Sequence, residues 1–207
     1  MLRDSRHREA TAHLAFVDPV MGEVIARVGR CTLDVRNEGT HFDALIRSIV
    51  YQQLSGKAAA TIHGRVVGLI GEGGSPVPHT ILSTTHEALR AVGLSSQKAS
   101  YVRNLAQHVI DGSLPIESLH NLTDEEIIHA LVQVKGIGRW SAQVFMMFRL
   151  GRPDVLPELD LGIQKGIQKA YRMRKPPTPK QVLARGKRWA PYRTVGAWYM
   201  WRILDVE

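Results

Sequence analysis

Cysteine is almost absent from this chain. The one residue present, Cys31, cannot close an intrachain disulfide or build a four-cysteine zinc or iron–sulfur site, so the fold must rest on packing, in a reducing compartment. Long apolar runs are missing too. No stretch approaches the ~20 residues that a membrane span needs, and the terminus "MLRDSRHREA" is too polar for a signal-peptide core. The expectation is a soluble intracellular protein, not secreted and not membrane-bound. Alternation of apolar and polar residues, the mark of a half-buried strand, is equally scarce: "CTLDVR", residues 31–36, is the single candidate and is short. No internal repeat or low-complexity tract occurs, which sets aside solenoids and disordered arrays.

Helical periodicity fills the space these absences leave. Phe42, Leu45, Ile46, Ile49 and Val50 recur at helical spacing, and after a break at "QLSG" so do Ala58, Ala59, Ile62, Val66, Leu69 and Ile70. Start signals agree: Asp18 precedes Pro19, Thr123 and Glu126 form a capping box before "IIHALV", and Thr178 precedes Pro179. Gly71 and Gly112 supply stops. With 207 residues, 44% of them hydrophobic, the chain can bury a sizeable core. The class is all-α. Apart from "GEGGSPVPH" (71–79) and "RKPPTPK" (174–180) the loops are short, so residues 1–207 read as one compact helical domain of two lobes, with early and late helices packed together.

Acidic residues are nearly missing from one end. The chain has 27 Lys and Arg against 19 Asp and Glu, but residues 161–207 hold 11 basic and 2 acidic, a net of +9. Residues 1–160 then carry 16 basic and 17 acidic, a net of −1. Such asymmetry suits a polyanionic partner, and equally a basic surface that only aids solubility.

"KGIGRW", Lys135 to Trp140, lies between the capped helix and a second helix beginning near Gly138. Glycines flanking one apolar residue allow a tight hairpin whose backbone N–H groups face outward at a helix amino end, a place that binds phosphate. Ile137 would tuck into the core and Lys135 and Arg139 would flank the turn with charge. An ordinary glycine-capped turn between helices fits the same residues. Downstream, Asp160 stands directly before "LGIQKGIQKAY", in which Ile163, Ile167, Ala170 and Tyr171 form an apolar face. It therefore lies near a helix amino terminus, where the dipole favours an ionised carboxylate, and a plain N-cap is one reading of it.

"VQVKGIGRWSA" followed by "GRPDVLPELDLGI" resembles the helix-hairpin-helix plus Gly/Pro-rich loop plus aspartate signature of the HhH-GPD DNA glycosylases. Within them it is similar to the alkylpurine branch, the AlkA-type 3-methyladenine DNA glycosylases II, which "IVYQQLSGKAAATI" (49–62) also resembles. The resemblance covers roughly residues 40–205 and rests on three separated motifs in the right order. It places the helix-hairpin-helix at about 123–150 and the loop at 151–160. It implies two helical lobes around a cleft. The 40 or so residues ahead of the first motif are too few for the additional sheet domain of some members, so a core-only version is expected.

The resemblance also implies roles. Asp160 would be the catalytic carboxylate; of the two competing carboxylates nearby, position in the sequence assigns Asp154 to stabilising the loop and Glu158 to facing solvent. Trp140 and Trp201 would line the substrate pocket, with Tyr51 a further lining candidate; for Trp140 and Tyr51 a core position is the alternative, and Trp189 and Trp198 are assigned to packing. Gln53, with Leu54 close behind, would fill the gap left by an extruded nucleotide, next to Ser55. Lys135, Gly136, Ile137, Gly138 and Arg139 would grip DNA backbone, and a monovalent cation, Na+ or K+, would rest on the carbonyls of Val132, Val134 and Ile137. No cofactor is otherwise required. Relatives that also cut the strand carry a lysine two positions after the second hairpin glycine; here that position is Trp140, which implies a monofunctional enzyme. The implied protein is a monomer acting on double-stranded DNA with alkylated bases, in a nucleoid-bearing cytoplasm or a nucleus. A catalytically silent DNA-binding module and a bifunctional glycosylase/lyase for oxidised bases are the alternatives.

Overall fold

The computed structural model describes residues 2–36, 38–72 and 74–207. Gly73, in the "GEGGSPVPH" loop, lies outside them. Twelve α-helices are found among the described residues: α1 (Leu2–Val17), α2 (Pro19–Val28), α3 (His41–Tyr51), α4 (Gly56–Ile70), α5 (Pro78–Ser83), α6 (His86–Ala91), α7 (Ser96–Ile110), α8 (Asp124–Val132), α9 (Arg139–Phe148), α10 (Leu161–Ala170), α11 (Pro179–Gly186) and α12 (Arg193–Arg202). The sheet content among the described residues is one two-residue pair, β1 (Gly71–Glu72) with antiparallel β2 (Ser75–Pro76). The all-α class therefore holds, but the strands are not where alternation suggested. Cys31 and Leu33 do point inward between exposed neighbours, so the segment is extended, yet it forms no ladder. Periodicity reports extension; a strand also needs a partner.

The chain divides into two compact units, one made of Met1–Val35 with Met146–Glu207 and the other of Arg36–Phe145. In the first, helices from both ends of the sequence meet: α1 and α2 pack on each other and on α12, and α10 packs along α12. Asp18 caps α2 by accepting from Met21 N at 3.4 Å, and it is 1% exposed. Its other oxygen accepts from Trp189 Nε1 at 3.0 Å and from the Tyr171 hydroxyl. A buried carboxylate needs such donors, and burial together with the Asp18 bond pushes the Tyr171 hydroxyl pKa far upward. Gly166 sets the approach of α10 to α12: a Cβ there would lie 1.9 Å from Met200 O, so no other residue fits.

In the second unit α3 buries Phe42, Leu45, Ile46, Ile49 and Val50, the face its spacing predicts. At about 1.5–3 kcal/mol per side chain before ordering costs, this stripe anchors the unit. The buried face of α4 is narrower than expected. Ala59, Val66 and Ile70 are inside, whereas Ala58 and Leu69 are exposed because they fall to either side of that stripe. Thr123 and Glu126 form the reciprocal capping box of α8, and Thr178 with Gln181 forms that of α11 in the first unit. No helix among the described residues is long and apolar enough to cross a membrane.

Candidate active site and nucleic-acid interface

Asp160 is the N-cap of α10, and its Oδ1 accepts from Ile163 N at 2.9 Å. The same oxygen accepts from Trp201 Nε1, also at 2.9 Å. The carboxylate is thus held at the positive end of a helix by one backbone and one indole donor, in a half-buried position. Gly162 makes room for this: a Cβ on it would lie 2.8 Å from Trp201 Cδ1 and 3.0 Å from Asp160 Oδ1. Phe148 stacks on Trp201 with ring centroids 5.9 Å apart and planes 27° apart. One face of this indole is therefore covered and its N–H is engaged, so the residue orients the carboxylate in addition to any role against a base.

The loop that delivers Asp160 is tied to the start of α12. Thr194 Oγ1 donates to Arg152 O at 2.6 Å and accepts from Val155 N at 3.0 Å, while Thr194 N donates to Pro153 O at 3.0 Å. Asp154 receives Arg193 through both carboxylate oxygens, Nε to Oδ1 at 2.7 Å and Nη2 to Oδ2 at 2.8 Å, and also accepts from Arg193 N. Burial acts to raise the Asp154 pKa, but the bonds and charge of Arg193 outweigh it and leave the carboxyl below its ordinary value. Asp154 thus stabilises the loop, as its sequence position implied. Glu158 departs from expectation: it is 7% exposed rather than facing solvent. Val155 to Glu158 are buried at consecutive positions, so no residue of that run has a solvent side, and Gln164 Nε2 holds the backbone by donating to Glu158 O at 3.0 Å.

In the second unit the hairpin at 135–138 is seated on α7. Gly136 has φ +87°, and a Cβ on it would lie 2.2 Å from Tyr101 Cδ2, so both conformation and space demand glycine. Lys135 N donates to Asn104 Oδ1 at 2.7 Å, Ile137 N donates to Val134 O at 3.0 Å, and the Ile137 side chain is buried as expected. Those two amides are thus engaged within the protein, and Gly138 directly precedes the first turn of α9. Arg139 pairs with Glu125 at 3.0 and 3.3 Å. Both side chains are exposed, and such a pair is weak enough for a phosphate to displace the carboxylate. Trp140, in the first turn of α9, is 42% exposed, which removes the core-packing alternative.

The α3–α4 loop presents the remaining candidates. Gln53 (φ +55°) and Leu54 are exposed, and Ser55 stands at the N-cap of α4 without a side-chain capping bond. Tyr51 is half-buried: the Arg47 guanidinium lies 4.3 Å from its ring centroid, and His63, hydrogen-bonded to Asp43 at 3.0 Å, meets it edge-on at 6.5 Å. Two residues absent from the sequence reading hold this loop. Lys98 Nζ donates to Val50 O and Gln52 O, both at 2.7 Å, and Gln52 Nε2 donates to Gly136 O at 2.7 Å. Their partners lie 46 to 84 residues away, so no local pattern could have disclosed them. Trp189 and Trp198 are buried, in keeping with packing roles. Among the described residues no group of three or more His, Cys, Asp or Glu is placed to hold a metal ion.

Residues 46–191 match the HhH-GPD superfamily of base excision DNA repair proteins. The chain is 35% identical over 196 residues to DNA-3-methyladenine glycosylase 1 of Schizosaccharomyces pombe, covering 94% of this chain and 86% of that one. A solved structure of the S. pombe 3-methyladenine DNA glycosylase in complex with abasic DNA superposes with a TM-score of 0.81 at 35% identity, covering 94% of this chain and 95% of that one. A DNA-3-methyladenine glycosidase from Bacillus halodurans gives a TM-score of 0.83 at 38% identity, covering 93% and 88%. The hairpin on its glycines, the Pro-containing loop tied to α12, and the aspartate that ends it are the features for which this superfamily is named, and the chain belongs to it: it is a member of the HhH-GPD superfamily of base excision DNA repair proteins.

Proposed function

We propose that this protein is a monofunctional DNA N-glycosylase that extrudes and releases alkylated purines, such as 3-methyladenine and 7-methylguanine, from double-stranded DNA. The observation that carries the reading is Asp160, a carboxylate held at a helix amino terminus by Ile163 N and Trp201 Nε1 and delivered by a loop fastened at both Asp154 and Thr194. Alkylation puts positive charge on the purine and weakens its bond to the sugar. As that bond breaks, its electron pair leaves with the base and positive charge develops on the sugar. At ~4 Å and an effective dielectric of ~20, an anion facing that charge contributes about 4 kcal/mol, roughly a thousandfold in rate. Water then adds to the sugar carbon, with its proton drawn toward Asp160. Trp140 offers an exposed indole for the flipped base, whose cation gains from the π face. Tryptophan supplies no amine for a Schiff base, which supports hydrolysis over strand cleavage.

The names of the relatives support the substrate class, and the abasic DNA in one solved relative supports DNA as the partner. In this reading the hairpin and the Gln53 loop engage the DNA, the basic carboxy-terminal stretch adds phosphate attraction, and the protein works as a monomer wherever chromosomal DNA lies, in a nucleoid or a nucleus. The carbonyls of Val132, at the end of α8, and of Val134 and Ile137, in the turn that follows, are neutral oxygens of the kind a monovalent cation takes, and among the described residues no His, Cys, Asp or Glu cluster is placed to hold a metal ion. Bound there, the ion would supply positive charge beside a backbone phosphate. The test is base release from duplexes carrying one defined lesion each, with and without borohydride. Free base and an intact strand are expected, with no covalent trap. Tight binding without release would favour the silent module, and a borohydride-trapped complex would favour the lyase.

A further inference from the structure

We propose that Lys98 and Gln52 are positioning residues for base extrusion, holding the α3–α4 loop in its protruding form and locking it to the hairpin at Gly136. The inference rests on the reading of Gln53 as the residue that fills the gap in the duplex. Gln53 occupies the left-handed region at φ +55°, where a residue with a Cβ is disfavoured by about 1–2 kcal/mol. Such a conformation persists only where neighbouring contacts determine it.

Those contacts are on both sides of the tip. At the end of α3 the last carbonyls lack intrahelical donors, and the Lys98 ammonium reaches Val50 O in the last turn of α3 and Gln52 O just beyond it, where the helix dipole also favours a cation. Burial pushes the Lys98 pKa down, so the ammonium is kept there against a desolvation cost. On the other side Gln52 Nε2 reaches Gly136 O, within the glycine hairpin. The same helix supports that turn: Lys98, Tyr101 and Asn104 are spaced three apart along α7, with the Tyr101 ring under Gly136 and Asn104 accepting from Lys135 N. The loop and the hairpin thus form one braced piece, and a phosphate seated at the hairpin fixes the height at which Gln53 stands.

The experiment measures, for each variant, the ratio of affinities for a duplex holding a tetrahydrofuran abasic analogue and for the undamaged duplex. A 2-aminopurine beside the analogue reports unstacking. Because both affinities scale with the folded fraction, the ratio is insensitive to partial misfolding. Lys98→Met and Gln52→Met, which keep length but lose the donors, are expected to lower the ratio about tenfold and to suppress the 2-aminopurine rise. Lys98→Arg, which keeps donors, is expected to restore most of both. An unchanged ratio in both Met variants, alongside a lowered ratio in Gln53→Ala, would overturn the inference while leaving the gap-filling role standing. Failure of Lys98→Arg to restore the ratio would also overturn it. If Gln53→Ala itself leaves the ratio unchanged, the underlying role of Gln53 is wrong and the inference falls with it.

Discussion

Replacing Trp201 with phenylalanine separates the two things this indole does. Phenylalanine keeps an aromatic ring against Phe148, which now stacks at 5.9 Å, but it has no N–H to give Asp160 Oδ1, at present 2.9 Å away. A hydrogen bond to a charged acceptor contributes about 1.5–3 kcal/mol net. Ile163 N still holds the same oxygen, but the carboxylate loses a fixed donor and gains freedom to rotate. If the whole contribution is spent on keeping the carboxylate aimed, the chemical step slows about ten- to hundredfold. The assay is single-turnover release of 7-methylguanine at saturating enzyme, which removes DNA affinity from the rate, with a thermal melt to confirm folding. A Trp201→Phe rate within twofold of the parent would refute the orienting role. A normal rate combined with weakened lesion binding would instead assign Trp201 to contact with the base.

Two further substitutions test the supports. Gly136→Ala combines a left-handed φ of +87°, costing about 1–2 kcal/mol, with a Cβ driven to 2.2 Å from Tyr101, costing about 1–3 kcal/mol more, and should lower the melting temperature and DNA affinity together. Adding Tyr101→Ala relieves only the clash, so the double variant should lose less than the two single losses combined; strict additivity would contradict the close approach. The Asp154 carboxyl has a native pKa depressed below its ordinary value, so its stabilisation is fully present above the unfolded pKa of ~3.9 and is lost as pH falls through the lower native pKa. Asp154→Asn should therefore be less stable than the parent at pH 7, and the gap measured by urea unfolding should shrink steadily below about pH 4. A gap that stays constant to the lowest pH would show that the Arg193 ion pair contributes nothing.

What could be read from the sequence was what is local. The face of α3, the caps at Asp18, Thr123 and Thr178, and the stop at Gly71 each depend on residues within a few positions, and each appears where expected. The glycine hairpin and the N-cap position of Asp160 were legible for the same reason, since φ and capping preferences belong to short segments. The site's second layer was not. Trp201 reaches Asp160 across 41 residues and Lys98 reaches Gln52 across 46, and nothing in an indole's or an ammonium's neighbours states where its donor ends up. Glu158 was misplaced because charge predicts exposure only when the backbone offers a solvent side, and consecutive burial from Val155 removes it. The engaged amides of Lys135 and Ile137 likewise depend on Asn104 and on the turn's own closure, which a G-x-G spacing does not specify.

The central claim is that the charge on Asp160 drives base release, and Asp160→Asn tests it with least disturbance. The amide oxygen can still accept from Ile163 N and Trp201 Nε1, so α10 keeps its cap and the melting temperature should change little. What is lost is the anion facing the sugar. In single-turnover release of 7-methylguanine from a defined duplex, the expected outcome is a rate lower by roughly a hundredfold to a thousandfold, with affinity for an abasic-analogue duplex within a few-fold of the parent. A folded Asp160→Asn protein that releases the base at near the parental rate would contradict the account.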